Sequence, residues 1–259
     1  MMVTIGNSSI ANDKALDSYK CDDPVDANEA VCWIVIPPSH RFCVHVGYNG
    51  MSQPQPDAGI KFKLYIDGAG PISSAFISPE TIRDDIARRE RNAPLTELKG
   101  EIEMDGRFSK VDGTIQPLCF YKRRTTDNDS GILPRNLRRF GEIEIRACWA
   151  VEELGPPPLY EDPELELLTK PVDEKLKQVQ YQFIGGLGQS VEDPDRNARQ
   201  PEIDTTPIQP NEIRFIFRYS DQGEYRINYI HLSDYSSLGF KYVCTCRVAE
   251  VGGHCSATC

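Results

Sequence analysis

The residue types that bind metals or attack substrates sit closest together at the end of the chain. The stretch "YVCTCRVAEVGGHCSATC" (242–259) holds Cys244, Cys246, His254, Cys255 and Cys259. Thiolate and imidazole are ligands that zinc prefers, and a tetrahedral site takes four of them. Cys244 and Cys246 are two apart in a strand-like run, so they would project from one face. His254 or Cys255, with Cys259, would then return across the "VGG" turn. Zinc is the one cofactor these motifs suggest. The spacing, however, is C-x-C followed by C-x₃-C, whereas zinc knuckles repeat C-x₂-C. Unligated thiols on a last strand and a loose terminus are therefore the preferred reading, with a zinc-stabilised module as the alternative. Ser256 stands fourth from the end, which excludes a simple prenylation motif.

A second set of residues could do electrostatic work. Lys122, Arg123 and Arg124 form one basic cluster, and Arg135, Arg138 and Arg139 a second, with ten residues (125–134) between them. This is the layout of a bipartite nuclear import signal, and these six are the expected partner-binding residues. A solvated hairpin loop is the plain alternative. The formal net charge of −10 argues against nucleic acid as the partner.

Other candidates are weaker. "FIGGLGQS" (183–190) lacks the Gly-Lys-Ser/Thr of a phosphate loop, and Pro194 follows before any helix, so a turn between strands is expected. No G-x-S-x-G, H-E-x-x-H or protease-type cysteine context occurs. His40 lies in the "PPSHR" turn and His231 at a strand end; His45 lies beside Cys43 on the face opposite the core valines. An enzyme with a site assembled from loops stays open as an alternative.

The elements that must position these residues read mainly as strands. In "RFCVHVGY", Phe42, Val44 and Val46 alternate with Arg41, Cys43 and His45; "IKFKLYIDG", "GEIEIRA", "EIRFIFRYS" and "EYRINYIH" alternate in the same way. Period two is what a strand with one buried face requires. "AVCWIVI" (30–36) is apolar throughout and reads as a central strand, with Trp33 and Trp149 in the core. Asn49-Gly50, Asp67-Gly68, Asp105-Gly106 and Asp112-Gly113 mark tight turns. One surface helix is expected near 79–91, capped by Ser78 with Pro79 first. It carries a thin Ile82/Ile86 stripe and the pairs Asp84/Arg88 and Asp85/Arg89. The fold class is all-β, an antiparallel β-sandwich with one short surface helix and long proline-rich loops. The domain is expected over 1–232, including an acidic, proline-rich connection at 151–173, with a cysteine-rich strand and tail at 233–259.

Composition sets the compartment. The chain has 259 residues, enough for a sizeable core, and nineteen prolines with nineteen glycines favour turns over helices. No apolar run approaches the ~20 residues that span a bilayer, so no membrane is expected. The first residues lack a basic segment followed by an apolar core, so no secretory signal is read and an intracellular protein, nuclear or cytoplasmic, is expected. Nine cysteines in that compartment read as buried thiols or metal ligands.

Several stretches, taken in order, resemble an uncharacterised fungal domain family of unknown function. They are "ALDSY", "AVCWIVIPPSHRFCVHV", "KLYIDG", "RFGEIEIRACW", "KQVQYQFIGGLGQS" and "IRFIFRYS", within residues 15 to 220. The resemblance implies a β-sandwich in an intracellular protein and implies no activity, so no catalytic residue is assigned. The functional expectation is a non-enzymatic module that docks a protein partner. Its contacts are the basic loop 122–139 and the acidic connection 151–173.

Overall fold

The structure is a computed structural model. It describes residues 2–6, 18–22, 28–35, 41–92, 100–109, 112–122, 125–126, 139, 141–153, 172–173, 183–193, 203–208 and 212–220.

Alternating apolar residues become strands throughout. In chain order these are β1 (Met2–Gly6), β2 (Ser18–Asp22), β3 (Glu29–Val35), β4 (Cys43–Gly47), β5 (Gly59–Ile66) and β6 (Ala69–Ile77). The helix α1 (Pro79–Glu90) follows, then β7 (Glu101–Met104), β8 (Gly106–Ser109), β9 (Thr114–Lys122), β10 (Thr125–Thr126) and β11 (Glu142–Glu152). The remainder are β12 (Val172–Asp173), β13 (Phe183–Leu187), β14 (Val191–Glu192), β15 (Thr205–Pro207) and β16 (Ile213–Ser220).

The larger sheet runs β2-β3-β16-β11-β5-β6, with β15 added to β11. Its pairings are antiparallel except one: β16 lies parallel to β3, Phe217 opposite Cys32. The smaller layer is built from β1-β4-β7 and from β13-β9-β14 with β8. Arg41 bridges Cys119, and the Phe42 N–H donates to the Leu118 carbonyl at 3.0 Å, which joins the two pieces. Both layers turn their apolar faces to one core. Val44, Val46, Leu118 and Phe120 from the smaller layer meet Phe62, Leu64, Ile145, Phe215 and Phe217 from the larger. Each such side chain stabilises the fold by about 1.5–3 kcal/mol of transfer free energy. The result is the expected all-β sandwich.

Helix α1 forms as its sequence signals require. The Thr81 N–H donates to Ser78 Oγ at 3.2 Å, Pro79 occupies the first turn, and Ile82 is buried while Ile86 packs on the core edge. The Asp85/Arg89 surface pair takes a different form. Asp85 is buried and its Oδ2 accepts the Gly100 N–H at 2.7 Å; Arg89 donates to the carbonyls of Gly50 (2.7 Å) and Tyr48.

Four further expectations are corrected. "FIGGL" is strand β13, not a turn: Gly185 pairs with Phe120, and a Cβ there would meet Ile66 Cγ2 at 2.6 Å. Only glycine lets the strand come this close. Asp105-Gly106 makes no hairpin but links β7 to β8, where a Gly106 Cβ would strike the Gln116 carbonyl at 2.4 Å. Trp33 is not a core residue; it shares the outer face of the larger sheet with Arg218, its register partner. The stretch 191–211 also contributes short strands, β14 and β15, where one long loop was expected. "EYRINYIH" lies outside the described residues. No helix among the described residues is long and apolar enough to cross a membrane.

Candidate functional site

On the outer face of the larger sheet, period two brings the charged residues of β11, β16 and β3 side by side. Glu144 is buried to 4% exposure at the centre. It accepts from Arg139 Nη1 at 3.0 Å, from Arg146 Nε at 3.0 Å and from Arg214 Nε at 2.7 Å. Arg214 also donates to Glu29 at 2.7 Å, and Arg218 to Glu142 at 3.1 Å. Two arginines lie over aromatic rings, Arg146 at 4.3 Å from the Tyr65 centroid and Arg218 at 5.8 Å from that of Trp33. Burial pushes the Glu144 carboxyl up, but its hydrogen bonds and ion pairs with Arg146 and Arg214 outweigh this and hold it below the usual glutamate range. The arrangement fixes several guanidinium groups on a flat face, with one edge of each partly open to solvent.

At one end of the sandwich a second carboxylate is buried, with no cation beside it among the described residues. Asp67 opens the β5–β6 turn with φ 50°, next to Gly68 at φ 79°. Both its oxygens accept from Tyr219 Oη at 2.8 Å, Oδ1 accepts the Gly141 N–H at 2.6 Å, and Oδ2 accepts the Gly185 N–H at 3.3 Å. Burial pushes this carboxyl up to about 7 against the pull of those donors. The group ties β5, β11, β13 and β16 together and touches no open surface.

The third cluster sits on the outer face of the smaller layer. Cys43 and His45 are two apart on β4 and therefore project to the same side. Sγ of Cys43 lies 3.2 Å from Nε2 of His45, and Nδ1 of His45 lies 3.9 Å from the Glu101 carboxylate. Strand β7 pairs with β4 so that Glu103 stands directly opposite His45. Cys43 Sγ, a His45 nitrogen and a Glu103 oxygen all lie within 4.8 Å of one another. The Cys43/His45 pairing follows from strand alternation in the sequence. The two glutamates were missed, although "EIEM" alternates Glu101 and Glu103 against Ile102 and Met104 and could have flagged them.

The structure places few of the sequence-predicted site residues. Lys122 ends β9 in the smaller layer, opposite Phe183, whereas Arg139 precedes β11 of the larger sheet. Arg123, Arg124, Arg135 and Arg138 lie outside the described residues, as do His40, His231 and the tail residues Cys244, Cys246, His254, Cys255 and Cys259. Among the described residues, Cys32, Cys43, Cys119 and Cys148 stand outside any disulfide, three of them buried. Comparison with protein-family models, with curated proteins and with solved structures finds no match to this chain.

Proposed function

We propose that this chain is a non-enzymatic, intracellular binding module that docks a protein partner on the outer face of its larger sheet. One observation carries the reading: Arg139, Arg146, Arg214 and Arg218 stand on a single flat face, held by carboxylates and aromatic rings, in a chain of net charge −10. Arginine and aromatic residues dominate the energetics of protein interfaces. Guanidinium groups already fixed in place lose little side-chain entropy when a partner binds. Arg139, the last residue of the basic stretch 122–139, belongs to this face, and the docking would be charge-steered. The thiol of Cys43, at 0% exposure, offers no approach for a substrate, which supports a binding role over catalysis by the Cys43–His45 pair.

The test uses the purified full chain as bait at low and at raised salt. A specific partner is expected to be lost as salt rises and on Arg139→Ala or Arg218→Ala. It should be retained on Arg83→Ala, a control on α1 whose guanidinium pairs with Glu80 away from this face. Equal capture by all three variants would overturn the reading. A fluorescent fusion with and without Arg123/Arg124 separates a nuclear from a cytoplasmic site of action.

A further inference from the structure

We infer that Cys43, His45 and Glu103 form a binding site for a single divalent cation of zinc-like character. The site is independent of the docking face, since it lies on the opposite layer. Its ligands are set by backbone geometry: C-x-H on β4 puts thiol and imidazole on one face, and the register with β7 puts Glu103 directly across from His45. Side chains so placed have Cβ atoms about 4.5–5.5 Å apart. A thiol, an imidazole and a carboxylate together suit zinc better than magnesium or calcium, which take oxygen ligands.

The distances fit. A tetrahedral zinc with S at about 2.3 Å and N at about 2.0–2.1 Å separates the two ligand atoms by roughly 3.5 Å. Sγ and Nε2 stand 3.2 Å apart, so a shift of a few tenths of an ångström seats the ion between them. Glu103 is exposed and its carboxylate is free to rotate inward from within 4.8 Å. Glu101 completes the arrangement from the other side of the ring. Its carboxylate stands 3.9 Å from Nδ1, while Nε2 is the nitrogen that faces Sγ. Metal-bound histidines commonly present their second nitrogen to a carboxylate in this way. Binding displaces the Cys43 thiol proton to solvent and leaves a fourth position for a water. Without the ion, the same 3.2 Å contact is an S–H···N hydrogen bond, and the experiment separates the two.

Cobalt(II) is the probe, because a thiolate ligand gives it a charge-transfer band that oxygen and nitrogen ligands do not. The full chain is prepared metal-free with Cys244, Cys246, Cys255 and Cys259 replaced by serine, which silences the tail. One equivalent of cobalt with a single-thiolate band is expected, displaced by zinc. Cys43→Ser should abolish the band. Since Cys43 is buried and its variant risks misfolding, His45→Gln and Glu103→Gln serve as second probes, each expected to weaken binding about 10-fold or more. No band in the tail-silenced chain, or a band indifferent to His45→Gln and Glu103→Gln, would overturn the assignment.

Discussion

Asp67, at the end of the sandwich, and Glu144, on the outer face of the larger sheet, are 6% and 4% exposed, yet their burial is compensated by different chemistry. Glu144 is surrounded by three guanidinium groups that each keep an edge in water. Asp67 is surrounded by neutral donors, one phenol and backbone N–H groups, with no cation in its shell among the described residues. Full cations pull the first carboxyl down; burial wins at the second and pushes it up to about 7. The lesson is that a buried acid reveals its role through its partners. A charge-paired acid at a solvent boundary organises a surface, and one held by neutral donors in the interior organises the fold.

Four measurements would break or sharpen that contrast. The largest effect is expected from Asp67→Ala, which strips the acceptor from the Tyr219 hydroxyl and from the Gly141 and Glu142 N–H groups, while the Gly185 N–H keeps Tyr219 Oη at 2.7 Å. Several unsatisfied buried donors should cost about 3–5 kcal/mol in urea unfolding. If Glu144→Ala proves equally costly, the distinction fails. Next comes Gly185→Ala, whose Cβ would meet Ile66 Cγ2 at 2.6 Å and Tyr219 Oη at 3.3 Å. Overpacking there should cost about 2–3 kcal/mol and loosen the Asp67 shell, read as faster exchange of the Gly141 amide.

Glu144→Gln should cost less, about 1–2 kcal/mol, because its arginines remain partly solvated and can turn to water. Calorimetry of this variant, set against Asp67→Ala, checks the ranking. The smallest signal is the pH slope, which for one group is at most about 1.4 kcal/mol per pH unit. Asp67 titrates higher in the folded than in the unfolded chain, so its contribution is full below 3.8 and is lost as pH rises toward about 7. Glu144 titrates lower when folded, so its contribution is present above 4.5 and is lost as pH falls through its folded value. Asp67→Asn should therefore flatten the slope between pH 3.8 and about 7, and Glu144→Gln the slope on the acid side of 4.5. Identical profiles for the two variants would sink the assignment.

The sequence made the strands legible wherever one face is apolar and the other charged, as in β5, β11 and β16. It also marked the Asp67-Gly68 turn and the Ser78 cap, because their signals lie within four residues. Strand β13 was not legible. Two glycines argue for a turn, and what makes them a strand is the approach of Ile66 and Tyr219 from distant parts of the chain. Trp33 misled for a related reason: its apolar run fits a strand covered on both sides, and only the register with Arg218 shows which face it takes. Cys43 and His45 could be paired from strand alternation, whereas Glu103 joins them through a pairing between β4 and β7 that no local pattern encodes. The charged outer face was half visible. The alternating Glu and Arg of β11 and β16 were read, but not that they interlock across the sheet.

The place of β16 in the larger sheet has a kinetic consequence. It is the last described strand in the chain and yet lies between β3 and β11, bonding in parallel to one and antiparallel to the other. Arg214 reaches Glu29 across 185 residues of sequence. During synthesis, β3 and β11 therefore wait with facing edges unpaired until β16 emerges and closes the gap between them. Such long-range closure folds slowly, and open apolar edges are where nascent chains pair with the wrong neighbour. In the cell, the yield of this protein should depend less on its final stability than on how long that gap stays shielded.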